Sequence, residues 1–272
     1  MIFTEPIPFD EALRSRAVKE LLPTAASSIE LTAIAPELRE RAFFSARVKN
    51  AELLQELDNG IDELLQGRVD VASIRTRLKE YEASIGLLPT AADAPEGPLS
   101  DITSTARLDL ILDTNVRMAQ GYGQWKQGQS AGVLDQWPAQ ELFRAEARNE
   151  EREWTGRWLG AGGTLHGGGR MIALKNDPVW TEISTFGLPY PPFDFNSGMD
   201  VRDVDRDEAI ELGLIDRDTQ IAPKDRPFND GLEAGADQVA AGDSALRAQL
   251  MRDLGDVAEF VGGVLRFKRR RS

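Results

Sequence analysis

The segment AELLQELDNGIDELLQGRVDVASIRTRLKEYEASIG (residues 51–86) has the clearest structural pattern in the N-terminal half of the chain. Its apolar residues recur mostly at spacings of three and four in two groups, which places each group along one face of an α-helix. Gly67 and Gly86 follow the two groups and predict the helix ends. Only about five residues separate the groups, so the stretch predicts an antiparallel helical hairpin. The two groups are Leu53, Leu54, Leu57, Ile61, Leu64 and Leu65, and then Val71, Ile74, Leu78, Tyr81 and Ile85.

The segments on either side of the hairpin are less regular. Upstream, residues 11–22 form a short amphipathic helix candidate that Pro23 would end, because proline cannot continue a helix. Pro36 occupies the kind of position that a helix prefers for proline in its first turn, ahead of the first apolar group. Downstream, residues 88–100 contain three prolines and a glycine without an apolar period, and they predict a linker.

Two more helices are expected after the linker. The third begins at Ser100 or Asp101, either of which can cap the exposed amides of a helix, and it weakens at the glycines of GYGQW (121–125). A fourth and weaker helix is expected over residues 133–147, with Trp137 and Leu142 buried. The inward-facing residues of the third helix are Leu108, Ile111, Leu112 and Ala119.

The composition changes in the second half of the chain, where prolines, glycines and aromatic residues become frequent. The apolar run Met171–Leu174 predicts a strand, whereas three motifs around it predict turns or extended chain. Asp205 and Glu208 form a capping-box pattern for a short helix that Gly213 ends. The three turn motifs are DPVW (177–180), LPYPPF (188–193) and NSG (196–198).

The last part of the chain combines an acidic segment with a basic end. Residues 193–259 contain 17 acidic and 7 basic side chains, whereas residues 260–272 contain five basic and no acidic ones. An amphipathic helix is expected over 246–261, on the spacing of its leucines and valines. The basic end either makes weak, salt-sensitive contact with nucleic-acid phosphate or is solvated. The residues for such a DNA contact are Lys268, Arg269, Arg270 and Arg271.

Together these patterns predict an α+β fold. A helical N-terminal half, built from the hairpin and the third and fourth helices, precedes a small irregular C-terminal module that contains β-structure. The expected regions are a helical region (1–95), a linker with helices (96–150), a small α+β module rich in tryptophan, proline and glycine (151–215), and an acidic segment with an amphipathic helix and a basic tail (216–272).

The composition also excludes several classes of active site and metal site. The 272 residues carry a formal net charge of −13, with no cysteine and a single histidine, His166. Zero cysteines exclude disulfides, thiol catalysis, iron–sulfur clusters and cysteine-type zinc sites. One histidine leaves no multi-histidine metal site, and we expect neither a metal nor a cofactor. No apolar run approaches the ~18 residues of a membrane span and no signal-peptide pattern opens the chain, so no membrane association is expected.

Three patterns that could carry chemistry each have a simpler structural explanation. The glycine-rich stretch GAGGTLHGGGR (160–170) lacks both phosphate-loop patterns and favours a hairpin or connecting loop, with His166 in it. The acids of 200–207 have calcium-loop spacing but lack the glycine and glutamate of that loop, and a helix N-terminus explains them. The tryptophans favour the core of a small domain over a stacking platform. They are Trp154, Trp158 and Trp180. No catalytic residue is assigned.

Three longer blocks of the sequence go together. The block RLDLILDTNVRMAQGYGQW (107–125) contains a Thr-Asn pair followed by small residues and glycine. In residues 152–199 an arginine-containing stretch leads to a glycine, a short apolar run, DPVW and a Pro-Pro pair, and ELRERAFFSARV (37–48) precedes both blocks. These blocks resemble the Mu F-like head morphogenesis proteins, which are minor head proteins of tailed phages. Family members have a helix with a Thr-Asn or Thr-Glu pair, a helical lead-in, and a C-terminal signature with Asp-Pro-aromatic-Trp and Pro-Pro. The matching residues are Thr114, Asn115, Gly121, Arg152, Trp154, Arg157, Trp158, Gly163, Asp177, Pro178, Trp180, Pro191 and Pro192.

This resemblance implies a structural role in capsid assembly. It implies a low-copy protein of a phage or prophage head, associated with the portal vertex, in the interior of the virion head near the portal and in the host cytoplasm during assembly. The implied partners are the portal protein and other head proteins, with weak contact to packaged DNA.

The resemblance transfers no catalytic or metal residue, and an enzyme remains the alternative. The chain has Trp154 and Trp158 where many relatives have a histidine, and FNSGMDVRD (195–203) where many have two cysteines. The alternative is a nuclease or transferase that acts on nucleic acid or nucleotide and is carried in the particle. It would use Arg152, Arg157, His166 or the acids of 200–207.

Overall fold

The computed structural model describes residues 9–17, 19–24, 42–90, 97–148, 152–224, 233–235, 258–261 and 264–267. These residues form an α+β fold with eight helices and a four-stranded antiparallel sheet, and the N-terminal half is mainly helical, as predicted. The chain divides into two compact units. The first comprises residues 1–116 and 227–272, and the second comprises residues 117–226.

The first unit opens with one short helix and a small parallel strand pair. Helix α1 (Asp10–Ala17) is followed by strands β1 (Glu20–Leu21) and β2 (Ala42–Phe43), which pair in parallel. The helix predicted over 11–22 is therefore wrong in its last residues, because pairing with a distant strand overrides local helical period. Pro36 lies outside the described residues, as does the start of the block 37–48.

The predicted helical hairpin is confirmed. Helices α2 (Ala51–Leu65) and α3 (Val71–Ser84) are capped by Asn50 and Asp70, whose side chains accept hydrogen bonds from first-turn amides at 2.9 and 3.0 Å. An ideal Cβ on Gly60 would lie 2.8 Å from Cγ2 of Ile74, so glycine permits the close approach of the two helices. The buried residues of the hairpin are Leu53, Leu54, Leu57, Ile61, Leu65, Ile74, Leu78 and Glu82.

The third helix, α4 (Thr105–Gly128), differs from the prediction at both ends. It starts after a turn rather than near residue 100, and the Ser104 hydroxyl accepts a hydrogen bond from the amide of Arg107 at 3.1 Å. It also continues through GYGQW (121–125), where the prediction of its end is wrong. Tyr122 and Trp125 are buried, and their packing offsets the low helix propensity of the adjacent glycines. The boundary between the two units falls within α4.

The second unit is built around a four-stranded antiparallel sheet. After α4, its elements in chain order are α5 (Ala131–Gln136), β3 (Ala139–Arg144), α6 (Trp154–Gly160), β4 (Leu165–His166), β5 (Arg170–Leu174), α7 (Val179–Glu182), β6 (Met199–Val204) and α8 (Arg206–Glu211). The strand order in the sheet is β4-β5-β3-β6, with every neighbouring pair antiparallel. Leu142 of β3 lies opposite Met171 of β5 and Val201 of β6.

The prediction of a fourth helix over 133–147 is wrong for most of its length. A short helix, α5, ends at Gln136, and the chain then forms β3, the strand between β5 and β6. Because β3 is buried on both faces, its sequence lacks the polar–apolar alternation that reveals a half-exposed strand. Leu142 is buried as predicted, whereas the prediction for Trp137 is wrong, since it is 39% exposed.

The other expectations for this unit are confirmed in outline. The strand predicted at Met171–Leu174 is β5, and the glycine-rich stretch 160–170 contributes the hairpin of β4 and β5. Asp205 caps α8 and accepts a hydrogen bond from the amide of Glu208 at 2.8 Å. The second half of the expected capping box differs, because the carboxylate of Glu208 pairs with Arg170 instead.

Each face of the sheet carries its own hydrophobic core. On one face, Leu142 and Ala173 pack in a cluster with Trp158 and Trp180 from α6 and α7. On the opposite face, Ala139, Ile172 and Val204 from three strands pack in a second cluster with α8 and the chain after it. The second cluster consists of Ala139, Ile172, Val204, Ala209 and Ile215, with Leu174, Ile210, Leu212, Leu214 and Ile221 at its periphery. The sheet is therefore the middle layer of the unit.

A third small sheet lies in the last part of the chain, where β7 (Glu233–Gly235), β8 (Ala258–Val261) and β9 (Val264–Phe267) pair antiparallel in the order β7-β9-β8. The helix predicted over 246–261 is wrong at its end, which is β8, and its earlier residues lie outside the described residues. The basic residues 268–271 also lie outside them. None of the described helices is both long enough and apolar enough to cross a membrane.

Candidate functional site

The two arginines of the signature region converge on one carboxylate. Arg152 and Arg157 each place a guanidinium nitrogen near Oδ2 of Asp194, at 2.8 and 3.0 Å. Arg157 also donates to the hydroxyl of Thr185 at 2.9 Å and lies over the ring of Trp154, 4.7 Å from its centre. These contacts connect α6 to the loop after α7, so both arginines have a structural explanation.

The predicted tryptophan core is confirmed. Trp158 and Trp180 are fully buried, with an edge-to-face contact of 5.1 Å between their ring centres. Their indole N–H groups donate to the backbone carbonyls of Thr164 and Leu174 at 2.9 and 2.8 Å. Buried rings whose N–H groups already have acceptors offer no free face to a base or a sugar.

Two further signature elements support this core. Asp177 accepts a hydrogen bond from the amide of Val179 at 2.8 Å, and Pro178 occupies the N-cap position of α7. An ideal Cβ on Gly163 would lie 2.4 Å from the ring of Trp158, so only glycine fits there. The Asp-Pro turn and this glycine therefore help to place the two tryptophans.

The pair Pro191-Pro192, joined by a cis peptide bond, packs against α4. An ideal Cβ on Gly121 would lie only 2.3 Å from the carbonyl oxygen of Pro191. Ser197 donates its hydroxyl hydrogen to the carbonyl of Pro192 at 2.6 Å, which ties this loop to the start of β6. The two blocks of the resemblance thus meet at backbone distance.

Thr114 and Asn115, the signature residues of the first unit, make only local contacts in the described residues. The side-chain amide of Asn115 donates to the carbonyl of Ile111, one turn earlier, at 2.8 Å. Thr114 is buried, and its hydroxyl has no hydrogen-bond partner among the described residues.

The candidates for enzymatic chemistry do not converge. His166 lies in β4, and its Nε2 has no hydrogen-bond partner within the described part of the chain. Asp203 pairs with Lys175 at 2.8 Å, whereas Asp205 caps α8. Among the described residues, no three His, Asp or Glu side chains lie close enough to hold a metal ion. The acidic residues of 200–207 therefore have different structural roles: Asp203, on β6, forms an ion pair, and Asp205 caps a helix.

A charge network that was not predicted from the sequence lies on the face of the sheet opposite the tryptophan core. Oε2 of Glu141, a buried residue of β3, accepts hydrogen bonds from both Arg170 and Arg202, at 2.6 to 3.1 Å. Burial alone would raise the pKa of the Glu141 carboxyl, but the hydrogen bonds and charges of the two arginines outweigh burial and hold that pKa below its usual value. Arg170 continues to Glu208 on α8. The network connects three strands and a helix.

A cleft of about 400 Å³ in the second unit was likewise not predicted from the sequence. One wall is the C-terminal half of α4, the other is the loop 189–191, and the sheet forms the floor. Two signature residues, Gly121 and Pro191, line it. The other lining residues are Gln124, Trp125, Gln127, Gly128, Gln129, Val133, Trp137, Gln140, Lys175, Pro189, Tyr190, Val201 and Asp203. The signal in the sequence is GYGQWKQG (121–128), where glycines, glutamine and tryptophan share one helix face.

The polar groups of the cleft are partly unsatisfied. Lys175 is almost fully buried and pairs with Asp203 across the floor at 2.8 Å. Oε1 of Gln129 accepts a hydrogen bond from the amide of Lys224 at 2.7 Å, which leaves its Nε2 without an acceptor among the described residues. The indole N–H of Trp125 likewise has no acceptor there. The cleft is therefore lined by aromatic rings, amides and one neutralised ion pair, a combination that is typical of small-ligand sites.

Comparison of the chain with protein-family models, with curated proteins and with solved structures finds no match.

Proposed function

We propose that this chain is a structural and assembly protein of a tailed-phage or prophage head, a low-copy minor head protein associated with the portal vertex and needed for head morphogenesis. The support is twofold: the resemblance of the blocks 37–48, 107–125 and 152–199, and the way in which the last two pack. In this role the protein lies inside the virion head near the portal, and it is in the host cytoplasm while heads assemble.

The observation that carries the proposal is that the signature residues of the second unit are engaged in packing. Arg152 and Arg157 share Asp194. Trp158 and Trp180 are buried with their N–H groups paired, and Gly121 lies against the backbone of Pro191. Residues that hold a module rigid suit a protein that binds to other head proteins during assembly. A catalytic pattern would instead place ionisable groups together in a cleft.

The helical first unit is the part that we assign to partner docking. Three large apolar side chains in it remain exposed, Val71, Leu87 and Leu99, at 46%, 42% and 51%. An apolar helix face of a head protein or the portal protein would cover such side chains on assembly. Because the sequence contains no cysteine, a single introduced cysteine is the only thiol of this chain that can be crosslinked. Leu87→Cys should crosslink to the portal protein in assembling heads, whereas Asp218→Cys in the second unit should not.

Complementation tests the assembly role directly. In a strain from which the gene is deleted, the wild-type gene should restore normal heads, and Gly121→Ala should not, because its Cβ collides with Pro191. Gly132→Ala is the matched control, since a Cβ there meets nothing within 4 Å. Normal heads from the deletion strain would refute the proposal. The same strain with His166→Ala distinguishes the enzyme, because only an enzyme that uses this residue loses function.

The weak DNA contact is tested on the basic residues 268–271. Deleting residues 268–272, which leaves strand β9 intact, should reduce the amount of DNA that is packaged or retained. The difference from the wild type should shrink as the salt concentration rises, because salt screens the phosphate contacts of the wild-type protein. Unchanged packaged DNA would remove the DNA contact from the proposal and leave the assembly role standing.

A further inference from the structure

The cleft of the second unit has the volume of a small-ligand site. Its roughly 400 Å³ lie within the range of about 300 to 1,000 Å³ that such sites occupy. The geometry points to a neutral saccharide as its ligand, bound against Trp137 between α4 and the loop 189–191. This inference goes beyond the proposed assembly role and does not depend on it.

One aromatic ring of the cleft is free to stack. Trp125 and Tyr190 are buried and pack on each other, with ring centres 6.1 Å apart. Trp137, at the end of α5, is 39% exposed and lines the opening. A sugar ring has an apolar face of C–H groups, which packs on an indole in the way that other apolar groups do. We therefore expect the sugar ring to stack on Trp137, with the buried rings of Trp125 and Tyr190 forming the wall of the cleft.

The polar side chains that line the cleft match hydroxyls. The side-chain amides of Gln124 and Gln140 both line it, and each amide can donate and accept a hydrogen bond. A hydroxyl group also donates and accepts, so a ligand rich in hydroxyls can pair with both amides at once.

The charges of the cleft disfavour a nucleotide. Lys175 and Asp203 are the charged residues among those that line it, and they already neutralise each other at 2.8 Å. A phosphate would add negative charge beside Asp203 without a free cation to balance it, and burial makes that costly. A proline-rich peptide also fits less well, because its tertiary amides give carbonyls to the donors but no N–H to the glutamine oxygens or to Asp203.

The test is saturation-transfer NMR on the full chain with a panel of neutral trisaccharides, namely chitotriose, maltotriose and cellotriose, at millimolar concentration. We expect transfer to at least one of them. Trp137→Ala should weaken its binding about tenfold or more, as loss of a stacking contact worth more than about 1.4 kcal/mol would. Gln124→Leu, at an exposed position of the cleft wall, should weaken it in the same direction.

The control is Leu159→Ala, which removes an exposed apolar side chain of α6 that does not line the cleft and should leave binding unchanged. Transfer to none of the trisaccharides overturns the inference. Equal binding by the wild type, Trp137→Ala and Gln124→Leu also overturns it, because the sugar then binds elsewhere. Displacement of the sugar by adenosine monophosphate or by decaproline, with tighter binding of that competitor, assigns the cleft to another ligand and rejects the saccharide.

Discussion

The carbonyl oxygen of Pro191 occupies the space that a side chain on Gly121 would fill, at 2.3 Å from an ideal Cβ. The two residues are 70 positions apart in the sequence and belong to the two separate blocks 107–125 and 152–199. Their contact fixes the wall of the cleft against the loop 189–191. It also explains why a helix with poor local propensity passes through this point.

Gly121→Ala should destabilise the second unit, because the added methyl group forces α4 away from the backbone of Pro191. Overpacking of this kind costs about 1–3 kcal/mol, which exceeds the gain of about 1 kcal/mol that alanine brings to a helix. Gly132→Ala should be neutral or slightly stabilising, since its Cβ meets nothing within 4 Å. Urea unfolding monitored by tryptophan fluorescence measures both. Equal stability of the two variants would show that the close approach is not required.

Glu82 should make the first unit less stable as the pH rises. Burial first, and then the charge of Asp101, raise the pKa of its carboxyl to about 7, against the opposing effect of Lys79. Both carboxyl oxygens lack a hydrogen-bond partner among the described residues. Because the folded protein holds the proton more tightly than the unfolded chain, stability is complete below the unfolded value of 4.5 and declines up to about pH 7, by about 3 kcal/mol in total.

Glu82→Gln should abolish that decline and make the protein more stable than the wild type at pH 8. Glu80→Gln, at an exposed position of the same helix, is the matched control and should retain the wild-type profile. Urea midpoints between pH 4 and 8 provide the measurement. A wild-type profile in Glu82→Gln would mean that its carboxylate is solvated in the folded protein.

Glu141 should have the opposite pH dependence. Burial opposes ionisation of its carboxyl, but Arg170 and Arg202 lower its pKa overall, so its contribution to stability is complete above the unfolded value of 4.5 and is lost as the pH falls through the folded value. Glu141→Gln should cost about 2–4 kcal/mol at pH 7, because two arginines lose their shared carboxylate. Glu211→Gln, at an exposed position of α8, should cost less than about 0.5 kcal/mol. A pH-independent loss in Glu141→Gln would exclude the ionised network.

Asp194→Asn should loosen α6 from the loop after α7. The substitution removes the negative charge that Arg152 and Arg157 share, and charge-assisted hydrogen bonds of this kind contribute about 1.5–3 kcal/mol. Arg157→Gln should cost more than Arg152→Gln, because Arg157 also contacts Thr185 and Trp154, whereas Arg152 has one further contact, with the carbonyl of Phe195. Asp218→Asn, at an exposed position, is the control. Thermal unfolding of the four variants ranks them, and the reverse order of the two arginines would contradict the assigned contacts.

The parts of the fold that the sequence predicted are those in which local pattern and tertiary packing agree. The hairpin of α2 and α3 has a clear period and clear caps at Asn50 and Asp70, and the Asp205 cap of α8 is equally local. The failures occur where packing overrides local preference. Strand β3 is buried on both faces and so has no alternation, and the glycines of 121–125 are helical because Tyr122 and Trp125 are buried.

The candidate site was predictable only in its core. Tryptophans near prolines and glycines indicated a packed module, and three of them are buried. The cleft was not visible in the sequence, because its polar groups come from α4, β3, β6 and the residues directly after α4 and β5. Only the fold brings Gln129, Gln140 and Lys175 together. The network of Glu141 depends in the same way on the register of three strands. Charges on different strands carry no spacing signal in one sequence.

The most direct test of the assembly role is quantitative mass spectrometry of DNA-filled particles purified from a strain that carries the gene. We expect a few copies of this chain per particle, in a fixed ratio to the portal protein, and we expect them to be retained after the outer surface of the particles has been treated with protease. Particles that are infectious and complete but contain none of this chain would contradict it.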